Sequence, residues 1–172
     1  MEKQTENTKF IIQRYDNYIT GANTKGNFLI AFNTFLTGGI LTGYSKIKEL
    51  VVLSSGKTLV DVLICILFSL CIMAIVLVIK AVYPFLKSGN SSIEKYHSHI
   101  FFNSVAEFHS DKTYYESLTG LSEEEFNRDL ANQAFQLAKG LKNKYLFLEW
   151  AMLVVYSELF IIILTLITII IY

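Results

Sequence analysis

The stretch VLICILFSLCIMAIVLVI, residues 62–79, contains no charged side chain. As an α-helix rising about 1.5 Å per residue it spans roughly 27 Å, close to the hydrocarbon thickness of a bilayer. Nothing in it alternates as a half-buried strand would. We read it as the centre of a transmembrane helix over 60–84, stopped by Pro84, the chain's one proline. Cys65 and Cys71 fall in this run at a spacing that suits neither a metal nor a redox pair. They are expected to pack as small apolar residues.

Composition points the same way. Of 172 residues, 52% are apolar and 17% charged, more apolar surface than a globule of this size can hide. An ordinary soluble domain is excluded. The formal net charge is zero, so no global field draws the chain to DNA or RNA.

Toward the N-terminus, residues 45–59 hold Lys46, Lys48, Glu49 and Lys57 and read as a connector. Residues 27–44 are uncharged and form a first span of near-minimal length. Asn33, Thr34, Thr37, Gly38, Gly39, Thr42 and Gly43 interrupt it. Such residues let helices approach closely in lipid, within one chain or between copies. Before this span, Phe10, Ile11, Tyr15, Tyr18, Ile19 and Ala22 recur at helical spacing. Gly21 and Gly26 bracket the polar run Asn23-Thr24-Lys25. A short amphipathic helix is expected to end there, within an N-terminal segment 1–26. Met1 to Phe10 has no signal-peptide core, so the first span is expected to direct insertion itself.

Beyond Pro84, residues 85–147 are hydrophilic. Ile93, Tyr96, Ile100, Phe101, Val105 and Phe108 suggest an amphipathic helix, and 110–120 a turn region. Ser122-Glu123-Glu124-Glu125 has the form of a capping box. After it, Phe126, Leu130, Ala134, Leu137, Leu141, Tyr145 and Leu148 repeat every three or four residues. No proline follows, so this helix is expected to continue into a third span over 148–172. The expected fold is an all-α membrane protein with three transmembrane helices. A cytoplasmic layer of amphipathic helices completes it, the last helix being continuous with the third span.

Orientation follows from basic residues near the spans. With the N-terminus inside, twelve Lys and Arg face the cytosol and only Lys46, Lys48 and Lys57 face out. The expected topology is N-inside and C-outside.

Candidate chemistry is sparse. His97, His99 and His109 lack zinc-motif spacing and read as polar helix positions. No nucleophile elbow, P-loop or glycine fingerprint is present. The chain is expected not to be an enzyme and to need no metal or cofactor. Glu158 stands out, about ten residues into the third span, where a carboxylate must face protein or water. Asn33, Thr34 and Thr37 lie at similar depth on the first span. Glu158 with Asn33 and Thr37 forms either a polar interhelical lock or a gate.

Several segments in order resemble a known family. Arg14…Tyr18 is followed by Asn23-x-Lys25-Gly26-Asn27, which opens the first span. Next come Ile100-Phe101-Phe102-Asn103-Ser104, then Asp129-Leu130-x-x-Gln133…Leu137-Ala138, then Asn143-Lys144-Tyr145 before the last span. The chain resembles, from about Phe10 to the third span, the transmembrane effector family of Pycsar anti-phage systems. It differs in carrying Asn23 where Asp is more usual and Gly26 where Ala is.

The resemblance implies a bacterial inner-membrane protein that answers a cyclic nucleotide made during phage infection. The messenger would be cyclic CMP or cyclic UMP, and the response would be membrane impairment and growth arrest. A nucleotide needs a cation for phosphate and an aromatic wall for the base. Arg14, Lys25, Lys139 and Lys144, interleaved with Tyr18, Phe101, Phe102 and Tyr145, offer both. With Asn23 they are the candidate ligand residues. A chain with three spans, polar residues within them and little external mass would breach a bilayer only as a homo-oligomer. Two other classes stay open: a toxin or holin-like pore former triggered by a partner protein, and an assembly subunit of a membrane complex.

Overall fold

The structure, a computed structural model, describes residues 2–84 and 98–172. All secondary structure in them is helical: α1 (Glu2–Glu49), α2 (Ser54–Val82), α3 (Phe102–Val105), α4 (Asp111–Thr119) and α5 (Glu123–Ile171). Three of these, α1, α2 and α5, are long and apolar enough to cross a membrane. The chain is thus an all-α, multi-pass membrane protein. It divides into two compact bodies. One comprises Ala22–Tyr83 with Lys144–Tyr172, and the other Met1–Gly21 with Pro84–Asn143.

The spanning body is inverted relative to a soluble protein. On α2, Val62, Ile66, Met73, Val76 and Ile79 are about half exposed, as are Trp150, Leu153, Phe160 and Ile163 on α5. These outward apolar faces suit lipid. The inward face of α2 is Val60, Leu63, Ile64, Leu67, Cys71, Ala74, Val78 and Ala81, the three-and-four spacing of a packed helix. Val60, Ile64, Leu67 and Cys71 form one core with Ile40 of α1, and Ile161, Ile162 and Ile169 of α5 pack on it.

The turn expected between Gly21 and Gly26 is absent: α1 continues through it to Glu49. Gly26 serves close packing instead. A Cβ there would meet Val82 Cγ1 at 2.5 Å and Val78 Cγ1 at 3.2 Å, so a side chain would push α1 away from α2. The neighbouring polar residues stay helical because Asn23 finds a partner on α5. The apolar stripe of α1 is also offset from expectation. Phe10, Ile11 and Tyr18 are exposed, while Ile12, Tyr15, Ile19 and Ala22 turn inward.

The connector expected over 45–59 shrinks to the four residues between Glu49 and Ser54. Lys48 stays helical and meets Asp61 of α2 at 2.7 Å, and the Tyr44 hydroxyl donates to the same carboxylate at 2.8 Å. At the other end of α2, Tyr83 adopts an extended conformation, φ −53° and ψ 136°, as the residue before a proline must.

In the second body the capping box at Ser122 is formed. Glu125 N–H donates to the Ser122 hydroxyl, and the Ser122 N–H to the Glu125 carboxylate. The Ser122 amide and hydroxyl, both donating to it, hold the Glu125 carboxyl below the usual carboxylate range. From there α5 runs unbroken to Ile171, joining the Phe126–Leu148 stripe to the third span as expected. The segment 110–120 is not a turn but α4, opened by its own capping box between Ser110 and Thr113. Ile93 and Tyr96 lie outside the described residues. The rest of that expected stripe does not continue as one helix. The Ser98 hydroxyl accepts from the amides of Ile100 and Phe101, and Asp129 takes the amide of His99. Side chains thereby capture the amides a helix would need.

Candidate functional site

In the spanning body, Lys144 is the organising residue. Its ammonium donates to the side-chain oxygen of Asn23 at 3.0 Å, to the Ala81 carbonyl at 2.8 Å and to the Tyr83 carbonyl at 3.2 Å. All three protons are spent on protein acceptors. A cation at the C-terminal carbonyls of α2 also answers that helix's dipole. Burial pulls the Lys144 ammonium below the usual lysine range. One residue later, the Tyr145 ring lies 5.8 Å from the Lys25 ammonium, within cation–π range. Ala22, Ala81 and Leu148 pack beneath, with Leu29, Tyr145 and Phe147 against them.

Lys25 and Tyr145 line a cavity of about 560 Å³ together with Leu29, Leu148, Glu149 and Tyr156. Such a volume lies in the range of small-molecule sites. The walls are apolar, and the charged groups are Lys25 and Glu149.

Of the nine residues expected to contact a ligand, four thus meet in this body: Asn23 with Lys144, and Lys25 with Tyr145. The other five belong to the second body. Arg14 donates from Nε to the Tyr18 hydroxyl at 3.0 Å, its guanidinium 5.6 Å from the ring. Lys139 sits 4.5 Å from the Phe135 ring centroid. The Phe101 and Phe102 rings meet at 4.9 Å in a tilted arrangement, with Phe102 exposed. Each cation is already paired with an aromatic face.

Sequence reading missed a buried polar cluster in the second body. Asp129, Ser98 and Gln133 are all buried. Asp129 accepts from the Ser98 hydroxyl and the His99 amide, both at 2.8 Å, and Gln133 donates to Ser98 at 2.9 Å. His99 meets Ser117 through Nε2 at 2.8 Å, and the Tyr114 hydroxyl donates to the His99 carbonyl. This network clamps the segment before α3 onto α5. The signal was present in Asp129 and Gln133, four apart on one face beside Leu130 and Ala134. His109 is exposed, and His97 lies outside the described residues. Among the described residues no group of His, Cys, Asp or Glu is placed to hold a metal.

Within the membrane-spanning part, Glu158 and Asn33 are completely buried, whereas Thr34 is exposed. Thr37, half-buried, lies one turn beyond Asn33 on α1. The structure therefore draws Glu158, Asn33 and Thr37 inward and leaves Thr34 outside.

No match is found among curated proteins, and none among solved structures. A family model, that of the Pycsar effector protein domain, matches residues 7–171. That match takes in both bodies, the Lys144 clamp, the Asp129 cluster and all three spans. The chain therefore belongs to the Pycsar effector family of bacterial anti-phage defence.

Proposed function

We propose that this protein sits in the bacterial inner membrane, N-terminus inside and C-terminus outside. It senses a cyclic nucleotide from the cytoplasm and responds by impairing the membrane, arresting growth as an abortive infection. It acts as an effector without catalysis. Family membership and three spans support the frame. The single observation that supports ligand sensing best is the Lys25–Tyr145 pair at a cavity of about 560 Å³. A cation and an aromatic face are what a phosphate and a base require.

In this reading Lys25 and Tyr145 contact the nucleotide, cyclic CMP or cyclic UMP. Asn23 and Lys144 set the position of α1 against α2 and α5. For Arg14, Tyr18, Phe101, Phe102 and Lys139 a part in ligand recognition is proposed within the second body by itself. The responding unit is a homo-oligomer. Gly38 and Gly39 have nothing within 4 Å of a would-be Cβ, so the small-residue face of α1 is open to another copy. Glu158, with Asn33 and Thr37, is the intramembrane gate.

The test is growth and membrane potential of expressing cells with and without cyclic CMP or cyclic UMP. Wild type should depolarise on addition and Lys25→Ala should not. Depolarisation in Lys25→Ala equal to wild type would remove Lys25 from the site.

A further inference from the structure

The middle of the spanning body holds buried polar oxygens without hydrogen-bond partners. Neither oxygen of Glu158 meets a partner among the described residues, nor does Asn33 Oδ1, nor Thr37 Oγ1. The Asn33 amide nitrogen spends one of its two hydrogens on the Leu29 carbonyl of its own helix at 3.0 Å. Other buried polar residues of the spans behave differently. Thr165 and Thr168 each donate to a carbonyl one turn back at 2.8 Å. Among the described residues such atoms fall on Asn33, Thr37 and Glu158.

That place is built from all three spanning helices. Asn33 and Thr37 share a face of α1, one turn apart. Glu158 comes from α5, and the Cys71 thiol of α2 neighbours both Thr37 and Glu158. Cys71 also belongs to the apolar core of Ile40, Ile64 and Leu67, against which Leu36, Ile161 and Ile162 pack.

Among the described residues no basic side chain is paired with Glu158. Lys48 is bonded to Asp61, Lys144 to Asn23 and two carbonyls, and Lys80 lies 6.0 Å from the Phe147 ring. On α1 and α2 the groups facing the site are neutral, and Cys71 is the titratable one. On α5, Glu149 is exposed and two to three turns away. The unpartnered atoms are all oxygens, of which the Glu158 pair and Asn33 Oδ1 only accept while the Thr37 hydroxyl can also donate, and they carry a single formal negative charge. An ionised carboxylate left so would be strongly unfavourable. One positive charge corrects both faults. A proton on Glu158 converts an acceptor into a donor for Asn33 or Thr37. A sodium ion would be held by the same oxygens, which suit hard cations. A divalent ion would leave net charge in the bundle.

We propose that Glu158, with Asn33 and Thr37, forms an intramembrane binding site for one monovalent cation, a proton or a sodium ion. This deepens the reading of Glu158 as a gate, because release of the cation would leave a charge that only water could stabilise.

The test uses dicyclohexylcarbodiimide, an apolar reagent that adds to protonated carboxyls. The purified full-length protein in liposomes, with no nucleotide present, is treated and mapped by peptide mass spectrometry. An adduct at Glu158 that forms more slowly as pH rises is expected. A rate equal in sodium and choline chloride identifies the proton as the occupant. Slowing in sodium chloride identifies the sodium ion. Either supports the site. No adduct at Glu158 in either salt at any pH tested, or a rate independent of both pH and sodium, overturns it. The double variant Asn33→Leu, Thr37→Val should shift the pH or sodium midpoint by roughly tenfold in concentration. An unshifted midpoint overturns the three-residue site. Because the readout is modification of the resting protein, its failure is distinct from failure of the nucleotide response.

Discussion

Lys144 on α5 donates to the Asn23 side chain on α1 across 3.0 Å while holding the last carbonyls of α2. A single ammonium therefore ties three helices together where α1 and α5 enter the spanning body.

Lys144→Met would keep the aliphatic stem and remove all three donors. The Ala81 carbonyl would then be left buried without its partner, at a cost of about 2–3 kcal/mol. A detergent-solubilised variant should melt several degrees below wild type, as read by thermal unfolding. A melting point equal to wild type would show that the clamp adds no stability.

Asn23→Asp should act in the opposite direction. A carboxylate facing Lys144 makes the bond charge-assisted, worth roughly 1 kcal/mol more than the neutral pair. The same melt should rise, and the rise should vanish in a Lys144→Met background. A rise that survives in that background would assign the effect elsewhere.

The Asp129 cluster predicts local rather than global loosening. Asp129→Ala leaves Ser98 and the His99 amide without their acceptor, at about 1–3 kcal/mol. Hydrogen exchange at residues 98–101 should accelerate more than tenfold. The amides of the inner half of α2 should stay protected. Equal acceleration in both regions would mean the cluster supports the whole fold.

Much of this architecture was legible in the sequence. The uncharged run at 62–79, the Ser122 capping box and the Phe126–Leu148 stripe marked α2, the start of α5 and its continuation. What failed was local. Gly26 looked like a helix break because glycine serves both turns and close approach, and only Val78 and Val82 packed against it distinguish the two. Lys144 looked like a free phosphate contact because nothing in a one-dimensional reading reveals that the last carbonyls of α2 lie within its reach. Asp129 was noted only as part of a family motif and its buried role was missed, since its partner Ser98 is 31 residues away.

Topology is testable by labelling. In a background with Cys65 and Cys71 replaced by alanine, Ser55→Cys should react with an impermeant maleimide in intact cells, and Glu124→Cys should react only after permeabilisation. Both positions are exposed on their bodies. The reverse pattern would invert the orientation derived from twelve internal and three external basic residues.

Glu158 separates a lock from a gate. Glu158→Gln retains an acceptor and gains donors, so it should preserve packing while removing the titratable charge. If the charge gates a water path, both Glu158→Gln and Glu158→Ala lose triggered depolarisation at equal expression. Retention in Glu158→Gln alone would mark a packing lock.

The most direct measurement is membrane potential in liposomes containing only this protein, before and after adding cyclic CMP or cyclic UMP to the face bearing residues 98–143. The account predicts rapid loss of an imposed potential with one of these nucleotides, none with the linear monophosphate, and none in Lys25→Ala. A potential that holds with both cyclic nucleotides in the wild-type protein would contradict it.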